Sequence, residues 1–165
     1  MILNSKILGA DEKKIIILHG FLGSLDNWVT FAKKLSNNGY EVHLIDQRNH
    51  GKSFHSDDFN YELMANDLYK YLYEKNINKT SILGHSMGGK TAMLYSLMYP
   101  DTINKLIVVD ILPVNYNTNY DEIFEALLEI DLKEIKSRND FNIHLNKHFD
   151  DPNFILFLSK NLQRT

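Results

Sequence analysis

The chain reads as an α/β protein, a mostly parallel sheet flanked by helices and followed by a helical segment. Three observations predict this. Continuous apolar runs such as Ile15-Ile16-Ile17-Leu18 alternate with amphipathic stretches through the first two thirds of the 165 residues. Such runs are apolar on both faces, as strands of a parallel sheet covered on both sides must be. After Pro113 only helical spacing persists.

Taken in order, Ile15 to Leu18 is a buried strand ending at His19-Gly20. A helix is expected from Asp26 as N-cap, with Trp28, Phe31, Ala32 and Leu35 on one face and a stop at Asn38-Gly39. Glu41 to Ile45 is the next strand. Asn60 can cap a helix whose apolar stripe is Met64, Leu68, Tyr71 and Leu72. Thr80 to Leu83 is a strand, the helix after Ser86 runs until Pro100 stops it, and Lys105 to Val109 is a further apolar strand ending at Asp110. Helical signals then group Ile123, Phe124, Leu127 and Leu128, next Phe141, Leu145 and Phe149, and last the run Phe154 to Leu158 after Asp151-Pro152. Nothing in the remaining residues is expected to cover that last run. The chain divides accordingly into residues 1–113, a core, and residues 114–165, an incomplete helical segment.

Composition excludes several classes of function. With 44% hydrophobic residues, 24% charged residues and a formal charge of −3, the chain carries no basic footprint for nucleic acid. It has no cysteine, which rules out disulfides, a thiolate nucleophile and a cysteine zinc site. The N-terminal residues lack a basic and an apolar region in series, and no apolar run approaches the ~20 residues of a membrane span. A cytoplasmic location is the expectation.

The chemistry centres on Gly84-His85-Ser86-Met87-Gly88, which lies between a strand and a helix. That context suits a serine nucleophile elbow, where flanking glycines clear the space beside a serine held in a strained turn. Acyl transfer needs a nucleophile, a base, an acid that orients the base, and N–H donors for the developing oxyanion. Ser86 is the candidate nucleophile, and the Met87 N–H at a helix start is one candidate donor. His19-Gly20-Phe21-Leu22-Gly23 offers the second through the Phe21 N–H. His85 and Leu22 are candidate pocket-wall residues. Asp46, Arg48 and His50 read as a polar turn with Gly51 allowing the reversal, rather than as a relay. His144 and His148 have the i, i+4 spacing of a metal pair. With no glutamate between them and no third ligand in view, they read as surface residues, and no metal is expected.

Four segments then resemble the α/β-hydrolases, within them the small esterases and thioesterases of the bacterial YbfF type. They are His19 to Ser24, Asp46 to Ser53, Gly84 to Lys90 and Val109 to Val114, in the family's order. The resemblance implies Ser86 as nucleophile, Phe21 and Met87 as oxyanion donors, and a helical cap after the strand that ends at Asp110. It offers Asp110 as the catalytic acid, although relatives also place the acid after a later strand, and Asp110 equally suits a loop carboxylate. The family's histidine base, which follows the last strand of its sheet, has no counterpart here, so the resemblance implies a C-terminally truncated hydrolase. The expected reaction is hydrolysis of a small-molecule ester or thioester through an acyl-serine, without metal or organic cofactor. The alternative is a non-catalytic remnant or binding protein that retains the fold. Without later strands, Leu106 to Val109 becomes an apolar sheet edge open to self-association or to a complementing chain.

Overall fold

The computed structural model describes residues 2–116 and 120–162. It contains two compact units, Met1–Pro113 and Val114–Thr165. In the first, β1 (Ser5–Leu8), β2 (Lys14–Leu18), β3 (Glu41–Ile45), β4 (Thr80–His85) and β5 (Ile103–Val109) form one sheet in the order β1-β3-β2-β4-β5. Pairing is parallel except for β1, which runs antiparallel to β3. Three helices, α1 (Val29–Ser36), α2 (Tyr61–Glu74) and α3 (Met87–Met98), connect the strands. This is the mostly parallel sheet with flanking helices that the alternating pattern predicts.

The uninterrupted apolar run of β2 has a direct physical reason. Ile16 and Leu18 enter one buried cluster with Leu68 and Tyr71 of α2 and Tyr95 of α3. Ile15 and Ile17 enter another with Ala32 of α1, Val42 and Leu44. Successive side chains point to opposite faces of a strand, and here both faces are covered, so every position must be apolar. Each such side chain contributes about 1.5–3 kcal/mol by leaving water.

Local boundaries differ from the sequence reading in three places. The first helix is preceded by a tight 3₁₀ turn, Leu25–Trp28, flanked by Ser24, whose N–H donates to Asn27 Oδ1 at 2.7 Å. The start therefore lies before Asp26, because Asn27 satisfies the backbone ahead of it. The strand β1 went unread, since Lys6 and Ile7 are both exposed and no buried alternation marks it. It is held by register, Ser5 opposite Ile45 and Leu8 opposite Val42. At the other end, β5 begins at Ile103 and pairs with β4 alone among the described residues, leaving Leu106 37% and Ile107 40% exposed. Although as apolar as the central strands, it forms the sheet edge expected for Leu106 to Val109.

The second unit holds α4 (Asp121–Leu128), α5 (Arg138–Leu145) and α6 (Pro152–Ser159). The helices start on local chemistry. Ser137 Oγ accepts from the Asp140 N–H at 3.1 Å while Asp140 Oδ2 accepts from the Ser137 N–H at 2.8 Å. Asp151 caps α6, with Pro152 in the first turn where its missing N–H costs nothing. The expectation that Phe154 to Leu158 would lie uncovered is corrected here. Ile155 and Leu158 are buried, 3% and 1% exposed, and α6 packs with α5, whose Phe141 and Leu145 are also buried. Their i, i+3 spacing puts 155 and 158 on one helix face, and Leu156 on another face takes the exposure.

Candidate active site

The backbone between β4 and α3 turns through a single residue. Ser86 has φ 49° and ψ −114°, a conformation L-residues rarely adopt, at a cost on the order of 1–3 kcal/mol. The surroundings hold it there. Its N–H donates to the Val109 carbonyl at 3.0 Å, and its own carbonyl accepts from the N–H groups of Gly89 and Lys90 at 2.9 and 3.1 Å. The two flanking glycines are required by contact. A Cβ on Gly84 would meet the Gly88 carbonyl oxygen at 2.2 Å, and one on Gly88 would meet the Leu18 and His19 oxygens at 2.5 and 2.6 Å. The start of α3 thus lies directly against the end of β2.

The loop after β2 closes on the same turn. Gly20 would carry a Cβ 2.9 Å from His85 Nδ1 and 3.3 Å from Ser86 Cβ, so a larger residue would push into the His85 ring beside the serine. Phe21 and Leu22 follow inside a turn closed by the Gly23 N–H on the Gly20 carbonyl at 3.0 Å. Leu22 has φ 56° and Asp110 φ 55°. Aside from two asparagines, which tolerate this region, Leu22, Ser86 and Asp110 are the non-glycine residues with positive φ among those described. All three are candidate site positions singled out in the sequence.

Asp110 follows β5 directly, next to the Val109 carbonyl that holds Ser86. Its carboxylate is largely exposed and lies 4.0 Å from His85 Nε2. The His85 ring also lies 5.9 Å from that of Trp28. Met87 is the first residue of α3, where N–H groups have no partner within the helix. Ser86, Met87, His85, Asp110 and the Gly20 to Leu22 turn are therefore neighbours.

A polar frame behind the turn sets its shape. Asp46 accepts from the N–H groups of Leu25 at 2.8 Å and Lys52 at 2.9 Å, and from Asn4 Nδ2 at 2.7 Å. Gly51 has φ 55° and no room for a Cβ over that carboxylate. His19 is buried: its Nδ1 donates to the Gly20 carbonyl at 2.8 Å and its Nε2 accepts from the Gln47 N–H at 3.1 Å. Burial lowers its pKa to about 4, against the smaller raising effect of the Gly20 bond, which keeps the ring neutral. His50 is bonded alike, with Nδ1 donating to the Arg48 carbonyl at 2.9 Å and Nε2 accepting from the Leu22 N–H at 3.2 Å. Its pKa is also lowered by burial. Arg48 Nε donates to Asp67 Oδ2 at 2.6 Å with both side chains buried, and Nη1 donates to the Asp58 carbonyl at 2.6 Å. Asp46, Arg48 and His50 hold the loops and form no relay to Ser86. Asp67, a buried residue of α2, was missed because only the folded chain brings it to Arg48.

The alpha/beta hydrolase fold model matches residues 13–163. The chain belongs to this family. A putative esterase/lipase of Haemophilus influenzae is 35% identical over 147 residues, 88% of this chain and 51% of that protein. Esterase YbfF of Escherichia coli is 36% identical over 151 residues, 91% of this chain and 59% of that one. Among solved structures, a marine microorganism esterase superimposes with a TM-score of 0.96 at 42% identity, covering 99% of this chain and 65% of that chain. The chain thus spans between half and two thirds of the length of these relatives. Among the described residues of this α/β-hydrolase, no helix is long and apolar enough to cross a membrane.

Proposed function

We propose that this α/β-hydrolase chain carries the nucleophile and oxyanion site of a serine hydrolase acting on small-molecule carboxylic esters or thioesters. Ser86 Oγ attacks the acyl carbon, and the N–H groups of Met87 and Phe21 receive the oxyanion that forms on the carbonyl oxygen. The alcohol or thiol leaves, and water then cleaves the acyl-serine. Asp110 is assigned the acid role, and His85 and Leu22 line the acyl pocket. The single observation that carries this reading is the backbone of Ser86, φ 49° and ψ −114° between a strand and a helix, with both flanking glycines locked by contact.

The reading needs a base for Ser86. His19, His43 and His50 are committed elsewhere, His43 by bonds to Tyr71 Oη at 2.7 Å and Glu41 Oε1 at 2.8 Å. His85 is assigned to the pocket wall, and no histidine of these seven stands after a later strand, where the family carries its base; we therefore take the base to be a histidine outside these 165 residues, with slow acylation by the chain alone expected. Loss of a triad member still leaves residual catalysis of ~10³–10⁴ over water. The test is a reactive nitrophenyl ester followed by peptide mapping of the acyl group, with and without added imidazole. Acyl on Ser86, faster with imidazole and absent from Ser86→Ala, is expected. Acylation of surface lysines with Ser86 unmodified would leave the chain as a non-catalytic retainer of the fold.

A further inference from the structure

The helical unit brings together three side chains that the sequence keeps apart. His144 lies in α5, His148 follows the end of that helix, and Glu129 directly follows α4, its N–H bonded to the Glu125 carbonyl at 3.0 Å. One donor atom from each lies within 4.8 Å of the other two. His148 Nε2 is 3.3 Å from Glu129 Oε2, and the two imidazole rings are 5.3 Å apart. His144 Nε2 donates to the Ala126 carbonyl of α4 at 3.2 Å, which holds this ring against the helix that supplies the glutamate.

From these residues we propose that His144, His148 and Glu129 form a binding site for a divalent transition-metal cation, Zn²⁺ foremost, that clasps the end of α4 to the end of α5. Two imidazoles and one carboxylate are a donor set that Zn²⁺ takes, with water in the fourth position, and the turn after α5 brings the two histidine rings to 5.3 Å of each other. Metal–ligand distances of about 2.0–2.2 Å set tetrahedral donor separations near the 3.3 Å already found between His148 and Glu129, so closure draws in His144 by about an ångström. Part of that approach falls to the Glu129 carboxylate, which is free to swing toward His144 because its side chain is 61% exposed. With no cysteine in the chain, no thiolate competes for the ion. Harder cations that demand all-oxygen shells, such as Mg²⁺ and Ca²⁺, do not match two imidazoles. The site is independent of Ser86 and its chemistry.

Equilibrium dialysis of the EDTA-treated chain against buffered Zn²⁺, with Co²⁺ absorption as a report on coordination geometry, tests the assignment. One ion per chain is expected, with a tetrahedral Co²⁺ spectrum and slower amide exchange around residues 126–130 and 145–149. Glu129→Gln keeps the size of an exposed side chain and should fold normally. Together with His148→Gln it should weaken Zn²⁺ binding by at least the ~10–100-fold that loss of a supporting partner costs a metal site. Absence of stoichiometric Zn²⁺ binding would overturn the proposal and leave only the contact of His148 with Glu129 beside a tilted pair of imidazole rings. Binding unchanged in both variants would overturn it equally, by assigning the ion to another site.

Discussion

Lowering the pH should unlatch the loop that carries Phe21, and the size of the effect follows from His19. This ring is neutral when folded because Nε2 must accept the Gln47 N–H, and a proton there would place two donors face to face. Burial holds its pKa at about 4 against the ordinary 6.5. The unfolded chain takes up a proton near 6.5 that the folded chain refuses, so this contribution is complete above that pH and is lost as the pH falls toward about 4. At about 1.4 kcal/mol per unit the whole gap is worth about 3 kcal/mol, of which about 2 kcal/mol disappears between about pH 7 and about pH 5. His50 and His43, both shifted down by burial, add loss of the same sign. Glu41 is held low by its bonds to Lys14 and His43, so its contribution fades only below the carboxylate's ordinary value of 4.5, outside this window. Denaturant unfolding of the wild type and His19→Asn across that range is the assay. The variant's stability should depend on pH less steeply, by about 2 kcal/mol over the window, and the buried His19 ring should titrate at about 4 by NMR. Equal pH dependence in the two proteins, or a His19 titration near 6.5, would refute the reasoning.

Other perturbations test the frame, the turn and the edge. Asp67→Ala leaves the Arg48 guanidinium buried without its partner and should cost about 3–5 kcal/mol in denaturant unfolding, while Arg48→Met combined with Asp67→Leu should regain most of it. Ser86→Gly relieves a backbone conformation that favours glycine and should raise stability by about 1 kcal/mol while abolishing acylation, whereas Ser86→Ala, which keeps the strain, should abolish acylation with no such gain. Ile107→Lys places a charge on the exposed β5 edge; light scattering should show a smaller mean mass than for the wild type, and a wild type that is already a monodisperse monomer would refute edge pairing.

Much of the fold was legible because its physics is local. The Ile15 to Leu18 run, the Asn60 cap that accepts the Leu63 N–H, and Asp151-Pro152 at the start of α6 act through neighbours in sequence, and each was read from neighbours alone. The glycines around Ser86 were legible for the same reason: a sharp turn between a strand and a helix leaves room for little else. Proximity between distant segments could not be read in this way. Strand β1 has no inward-facing apolar series of its own and exists because β3 offers an open side. An apolar run in β5 says that the strand is covered somewhere, but its pairing decides which positions are exposed. Asp67 became the partner of Arg48, and Glu129 the neighbour of His144 and His148, only when helices folded against other elements. The sequence by itself determined which residues could turn, cap, pair or react, since those properties belong to a residue and its near neighbours. Only the tertiary structure decided which of them met, because hydrogen bonds and ligand contacts depend on distances across the fold that sequence spacing does not encode.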